Sequence, residues 1–130
     1  MTNFEMVREF HATFDLPDRK TPGLLETDEQ KLRLSLIEEE VDELKTGIFN
    51  KDIVEIADAL TDILYVVYGA ALCYGLDIDL CFKEVHRSNM SKLGSDGNPL
   101  YREDGKVLKG PNYSSPDLGA VLYSPETSNE

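Results

Sequence analysis

An all-α fold, a four-helix bundle-like core followed by an irregular C-terminal arm, is what this sequence predicts. Three observations carry that expectation. Apolar residues recur at helical spacing through most of the first 93 positions. Glycine, proline and Asn/Asp signals fall between those runs. Beyond one short candidate hairpin, no further strand-like segments exist from which a sheet could be built.

The helices are expected at about 2–14, 28–46, 51–74 and 78–93. In the first, Phe4, Val7, Phe10 and Phe14 recur at helical spacing and are expected to be its apolar stripe, with Thr2 or Asn3 as cap. The segment Leu16–Gly23 breaks the pattern with two prolines and a glycine, as a connecting loop would. Thr27-Asp-Glu-Gln30 has the form of a capping box, and Leu32, Leu36, Ile37, Val41 and Leu44 then follow the helical period to an expected stop at Gly47. Asn50 or Asp52 opens the third helix, which is apolar nearly all round as far as Gly75 and so should be central or shared with a partner subunit. Asp77 or Asp79 caps the fourth, with Leu80, Phe82, Val85, Met90 and Leu93 as its expected buried set and Gly94 as its end.

After Gly94 turn dipeptides crowd together. Pro99-Leu-Tyr-Arg and Lys106-Val-Leu-Lys can form a small hairpin about Glu103-Asp104-Gly105, within an arm that packs on the helices. A single domain over 1–123, with the arm at 94–123 and a floppy tail at 124–130, is the expected organisation.

A formal net charge of −12 argues against an extended nucleic-acid or anionic-membrane surface, because phosphate binding needs clustered Lys and Arg. Cys73 and Cys81 form no CxxC and read as buried free thiols, which suits a reducing compartment. No signal peptide is visible, and the apolar run Ile63–Leu72 is too short to span a bilayer. The expected setting is therefore cytoplasmic, with neither nucleic acid nor membrane as partner.

Two acidic stretches hold the chemistry. On the second helix Glu39, Glu40 and Glu43 share a flank, and on the third Glu55, Asp58 and Asp62 lie at i, i+3 and i+7. A solvated acidic face would account for the second helix alone. It does not account for Asp58 and Asp62, which sit among Ile56, Ala57, Leu60, Ile63 and Leu64, where an ionised carboxylate is costly unless paired or ligated. Between Leu34 and Val66 the only basic residues are Lys45 and Lys51. Hard divalent ions with oxygen ligands, Mg²⁺ or in its place Mn²⁺, are the natural solution, and such ions leave positions open for substrate phosphates. His11 and His86 are remote in sequence, which weakens zinc or iron. Candidate phosphate partners are Arg87, Asn89 and Lys92 on the fourth helix, and Arg102, Lys106 and Lys109 in the arm. Taken singly, each could equally be a solvated surface residue.

These residues resemble the all-α nucleoside triphosphate pyrophosphohydrolases, the MazG-like group that includes phosphoribosyl-ATP pyrophosphohydrolase and the dimeric dUTPases. The group's pattern, E-E-x-x-E, a spacer and E-x-x-D before an apolar helix, is matched by Glu39-Glu40-Val-Asp-Glu43 and Glu55-Ile-Ala-Asp58. The spacer from Glu43 to Glu55 is short for the group. Asp62-Ile-Leu-Tyr also matches the phrase that follows the family's aspartate, a register that puts Ala59 where the glutamate belongs, so Asp58 and Asp62 both remain ligand candidates ahead of Glu55. Ser88-Asn-Met-Ser-Lys92 resembles the segment that meets substrate phosphates in dimeric members.

The resemblance implies Mg²⁺-dependent hydrolysis of an NTP or dNTP to the monophosphate and pyrophosphate, as in nucleotide-pool house-cleaning. Glu39, Glu40, Glu43, Asp58 and Asp62 would hold metal, with Glu39 or Glu40 in the catalytic role. Arg87, Asn89, Lys92 and Lys109 would meet phosphate, in a homodimer or homotetramer. The alternative is a non-catalytic helical metal-binding or assembly module, although no EF-hand loop is present. A phosphatase reading of Asp77-Ile-Asp79 fails because those aspartates open a helix in a chain without βαβ units. No aromatic or amide constellation in the sequence points to a particular base.

Overall fold

The computed structural model describes residues 1–123, and among them it is all-α, as expected. Five helices follow one another: α1 Asn3–Thr13, α2 Thr27–Phe49, α3 Ile53–Tyr74, α4 Ile78–Met90 and α5 Leu118–Tyr123. The expected floppy tail lies outside the described residues. The chain divides into two compact units, the first ending at Leu76 and the second beginning at Asp77.

In the first unit, α1 opens with a capping box in which the Thr2 hydroxyl accepts the Glu5 N–H. Its buried residues are Phe4, Val7 and His11. This corrects the expected stripe, because Phe10 is 38% and Phe14 61% exposed. The packed face is rotated toward His11, whose Nδ1 lies 2.7 Å from the Pro17 carbonyl oxygen and whose ring abuts Gly69. The helix ends in a Schellman-type closure: Asp15 takes φ 56° and the Leu16 N–H donates to the His11 carbonyl at 2.7 Å.

The predicted capping box at Thr27 does not form. Glu26 is the N-cap, without a side-chain cap bond, and Asp28 and Glu29 in the first turn complement the helix dipole. The preceding loop explains the earlier start. It is pinned to the end of α3 by Arg19 N–H to Leu72 O and Gly23 N–H to Tyr74 O, and reaches Glu26 extended. At Gly75, φ is +72° and a Cβ would lie 2.0 Å from the Thr21 carbonyl, so only glycine fits beneath the loop.

Helix α2 also runs past the expected stop at Gly47, to Phe49. Gly47 is buried inside the helix, where a Cβ would stand 3.2 Å from the Ile56 backbone nitrogen. It serves as a contact point between α2 and α3 instead of a terminator. Asp52 then caps α3 by accepting the N–H groups of Val54 and Glu55.

Helix α3 packs against α1 and α2. At 22 residues with a mean hydropathy of 1.5 it is long and apolar enough to cross a membrane by length and composition, although the Ile63–Leu72 run alone is not. Ala59, Gly69, Ala71, Leu72 and Cys73 are buried, whereas Ile53, Val54, Leu60 and Leu64 are exposed. Cys73 and Cys81 are buried free thiols, as expected, and burial pushes the Cys73 thiol up to about 11.

The second unit opens with Asp77 capping α4 through the Leu80 N–H. The expected buried set is corrected: Cys81 and Ser88 are buried, while Phe82 is 73% and Met90 54% exposed. The helix stops at Met90, short of Leu93, because its end is taken up by the arm. Ser91 Oγ accepts the Ser114 N–H at 2.9 Å, and the Lys92 carbonyl accepts the Gly110 N–H at 2.8 Å. The hairpin survives as one antiparallel bridge, Tyr101 to Val107, with a turn at Gly105. Helix α5 was not anticipated. Its local signal is Asp117, whose carboxylate accepts the Ala120 N–H.

Candidate functional site

In the first unit α2 and α3 form a helical hairpin whose turn is only Asn50 to Asp52. With Gly47 letting the backbones approach, residues two turns up α2 and up α3 come opposite one another. Glu40 and Glu43 on α2 and Asp62 on α3 each direct a carboxylate oxygen to within 4.8 Å of the others. Glu40 and Asp62 are half-buried and Glu43 is exposed.

The electrostatics are those of an uncompensated cluster. Burial, then the charges of Glu43 and Asp62, a hydrogen bond that protonated Glu40 donates to Glu43, and the charge of Asp58, raise the Glu40 carboxyl above its usual range. Burial, then the charges of Asp58 and Glu43, raise Asp62. Among the described residues no Lys or Arg forms an ion pair with Glu40, Glu43, Asp58 or Asp62, and Lys45 pairs with Asp42 instead. Glu40 Oε2 is buried without a hydrogen-bond partner.

An all-oxygen donor set with a buried, partnerless carboxylate oxygen fits a hard divalent cation. Glu40, Glu43 and Asp62 are the residues that could hold one. Asp58 is exposed, yet close enough to act on both Glu40 and Asp62. Glu39 and Glu55 lie outside the converging trio: Glu39 is exposed on α2, and half-buried Glu55 sits in the first turn of α3.

The predicted phosphate partners all lie in the second unit. Arg87 is engaged with its own unit, donating from Nε and Nη2 to Glu84 at 2.8 and 2.9 Å and from Nη2 to the Ser115 carbonyl. Glu84 also accepts the Asp117 N–H at 2.7 Å, and these bonds hold its carboxyl down to about 2. Arg87 is thus the clasp between α4 and the segment leading into α5. Asn89 is exposed and Lys92 half-buried. The Lys109 ammonium lies 4.6 Å from the centre of the Tyr113 ring.

Residues 7–89 match the phosphoribosyl-ATP pyrophosphohydrolase family, a span that includes both acidic stretches and Asn89 and stops before the arm. The chain is 36% identical over 112 residues to L479, an uncharacterized protein of Acanthamoeba polyphaga mimivirus. That alignment takes in 83% of this chain and 42% of L479, so the chain spans less than half the length of this relative. A crystal structure from Exiguobacterium sp. 255-15, provisionally described as an NTP pyrophosphohydrolase, matches 92% of this chain and 91% of that one at 27% identity, with a TM-score of 0.46. With its two acidic stretches inside the matched span, the chain belongs to the phosphoribosyl-ATP pyrophosphohydrolase family, within the MazG-like all-α NTP pyrophosphohydrolases.

Proposed function

We propose that this chain is a divalent-metal-dependent nucleoside triphosphate pyrophosphohydrolase, converting an NTP or dNTP and water to the monophosphate and pyrophosphate. The observation that carries the reading is the convergence of Glu40, Glu43 and Asp62 around a buried carboxylate oxygen without a partner, in a chain of this family. Mg²⁺, or Mn²⁺ in its place, would be held by these three with Asp58 in support, and when bound it offsets phosphate charge and acidifies a water.

The chain's own residues supply the rest. Glu40, Glu43 and Asp62, with Asp58 in support, would hold the ion against the triphosphate; in the reaction water adds to the first phosphorus and the anhydride between the first and second phosphates breaks. The pyrophosphate leaves with the bridging oxygen. The attacking water's proton passes to a carboxylate, and Glu39, exposed and adjacent to Glu40, is the group we assign to it. Asn89, Lys92 and Lys109 are donors suited to phosphate. Arg87, already committed to Glu84, is the weakest member of that set.

The exposed apolar side chains of α3 support assembly as a homodimer or homotetramer, which sedimentation would measure. Pyrophosphate release from a panel of NTPs and dNTPs, with Mg²⁺, with Mn²⁺ and with neither, tests the proposal. Metal-dependent release from at least one nucleotide is expected. None from any would leave a non-catalytic metal-binding module as the better reading.

A further inference from the structure

Three of the aromatic residues that stay out of the core form a row that starts one turn from Asp62. Phe14 and Phe10 have ring centres 4.5 Å apart, and Phe10 meets Tyr65 edge-on at 5.6 Å. All three are partly open to solvent, Phe14 at 61% and the other two at 38% each. Tyr65 lies three residues beyond Asp62, about 4.5 Å along α3 and on the flank it shares with Asp58 and Asp62. The row therefore begins within one helical turn of Asp62 and continues to the end of α1.

The backbone at Phe14 is held in place. The Phe14 N–H donates to the Phe10 carbonyl at 3.0 Å, and the left-handed Asp15 and the Leu16 bond to His11 fix the chain immediately after it. An exposed aromatic row one turn from a charged site is an unusual use of apolar surface, since packing against α3 would have favoured burial of these rings.

We propose that Phe10, Phe14 and Tyr65 form the platform on which the substrate's nucleobase stacks. The inference rests on the triphosphate reading above and extends it to the base. In a nucleotide the sugar separates base from first phosphate. A base partner therefore belongs beside the groups that hold the phosphates and not among them, and Tyr65, about one helical turn beyond Asp62, with Phe10 against it and Phe14 against Phe10, offers such a neighbour. Every base offers a π face, so a platform of this kind favours base-bearing triphosphates over base-free ones and discriminates weakly among bases.

The test compares NTPs with methyl triphosphate, which carries the phosphates without a base, using the unmodified protein and Phe14→Leu, Phe10→Leu and Phe14→Tyr. Leucine keeps apolar bulk and removes the π face, and Phe14 is exposed enough for the fold to tolerate the change. KM for NTPs should rise about 10-fold in the leucine variants, be restored in Phe14→Tyr, and stay unchanged for methyl triphosphate. Fluorescence of 2-aminopurine riboside triphosphate should be quenched on binding the unmodified protein and less so on binding Phe14→Leu. Equal losses on both substrates, or no loss on either, would overturn the platform while leaving the hydrolase reading intact. Equal losses accompanied by a shift in sedimentation would instead assign the row to contact with a second copy. Absence of metal-dependent turnover of any nucleotide by the unmodified protein would remove both readings.

Discussion

Glu40 in the first unit and Glu84 in the second are both helical, half-buried glutamates, and their surroundings treat them in opposite ways. Glu84 is fully answered: Arg87 binds it bidentately and Asp117 donates its backbone N–H, so its carboxyl is held down to about 2. Glu40 is met by burial and by Glu43, Asp62 and Asp58, and its carboxyl is pushed up. One arrangement completes itself within the chain and serves as a clasp. The other meets no Lys or Arg among the described residues. Residue type and helix position do not separate the two; what separates them is the sign of the nearest partner.

Removing the open-site carboxylates should have the largest effect. Glu40→Gln or Asp62→Asn should lower metal-dependent pyrophosphate release by more than about 100-fold, since removing a supporting group behind a metal ligand already costs about 10–100-fold. The helical circular dichroism signal should be retained, because no buried ion pair is broken. Activity within a few-fold of normal would erase the distinction between the two glutamates.

Next comes the response of stability to metal and pH. The raised carboxyls of Glu40 and Asp62 give stability that is present below their unfolded values and lost as pH rises through their elevated folded values. Metal-free protein should therefore lose melting temperature as pH climbs through the mildly acidic range. Mn²⁺ at 100 times its dissociation constant should restore about 2.7 kcal/mol at neutral pH. Thermal melts with and without Mn²⁺ measure both limbs.

A smaller effect is expected from Gly47→Ala. The new Cβ, 3.2 Å from Ile56 N, must press α3 away from α2 and loosen the convergence one to two turns beyond. Mn²⁺ binding, followed by its electron paramagnetic resonance, should weaken about 10-fold. Smallest of all is Arg87→Met in the closed arrangement. Glu84 lends stability that is present above its ordinary value near 4.5 and fades as pH falls toward 2, so the variant should melt slightly lower at neutral pH and lose that acid limb.

The sequence made the helices legible because their apolar periods and Asp and Gly terminators are local signals, as at Asp52, Gly75 and Asp77. It also made the two acidic stretches legible as partners, because so little positive charge lies near them. The face that each helix turns inward was harder to read. Phe10 and Phe14 share the periodicity of Phe4, yet His11 takes the buried place against Gly69, and such a choice depends on a three-helix junction that no spacing encodes. The pairing of Arg87 with Glu84 was overlooked for a different reason. The i, i+3 spacing was visible, but the contacts that recruit both residues come from Ser115 and Asp117, some thirty positions away.

The close passage at Gly47 has a consequence for how this site could change over time. Because α2 and α3 touch there and the turn beyond is only Asn50 to Asp52, the angular phase of α3 relative to α2 is set by very few residues. An α-helix advances about 100° per residue, so a single insertion in that turn, absorbed by rotating α3, would carry Asp62 off the face it shares with Glu40 and Glu43. The short turn between α2 and α3 thus works as a phase lock. Substitutions can drift around it, but a change of length in that turn must leave the phase of α3 unrotated if Asp62 is to keep facing Glu40 and Glu43.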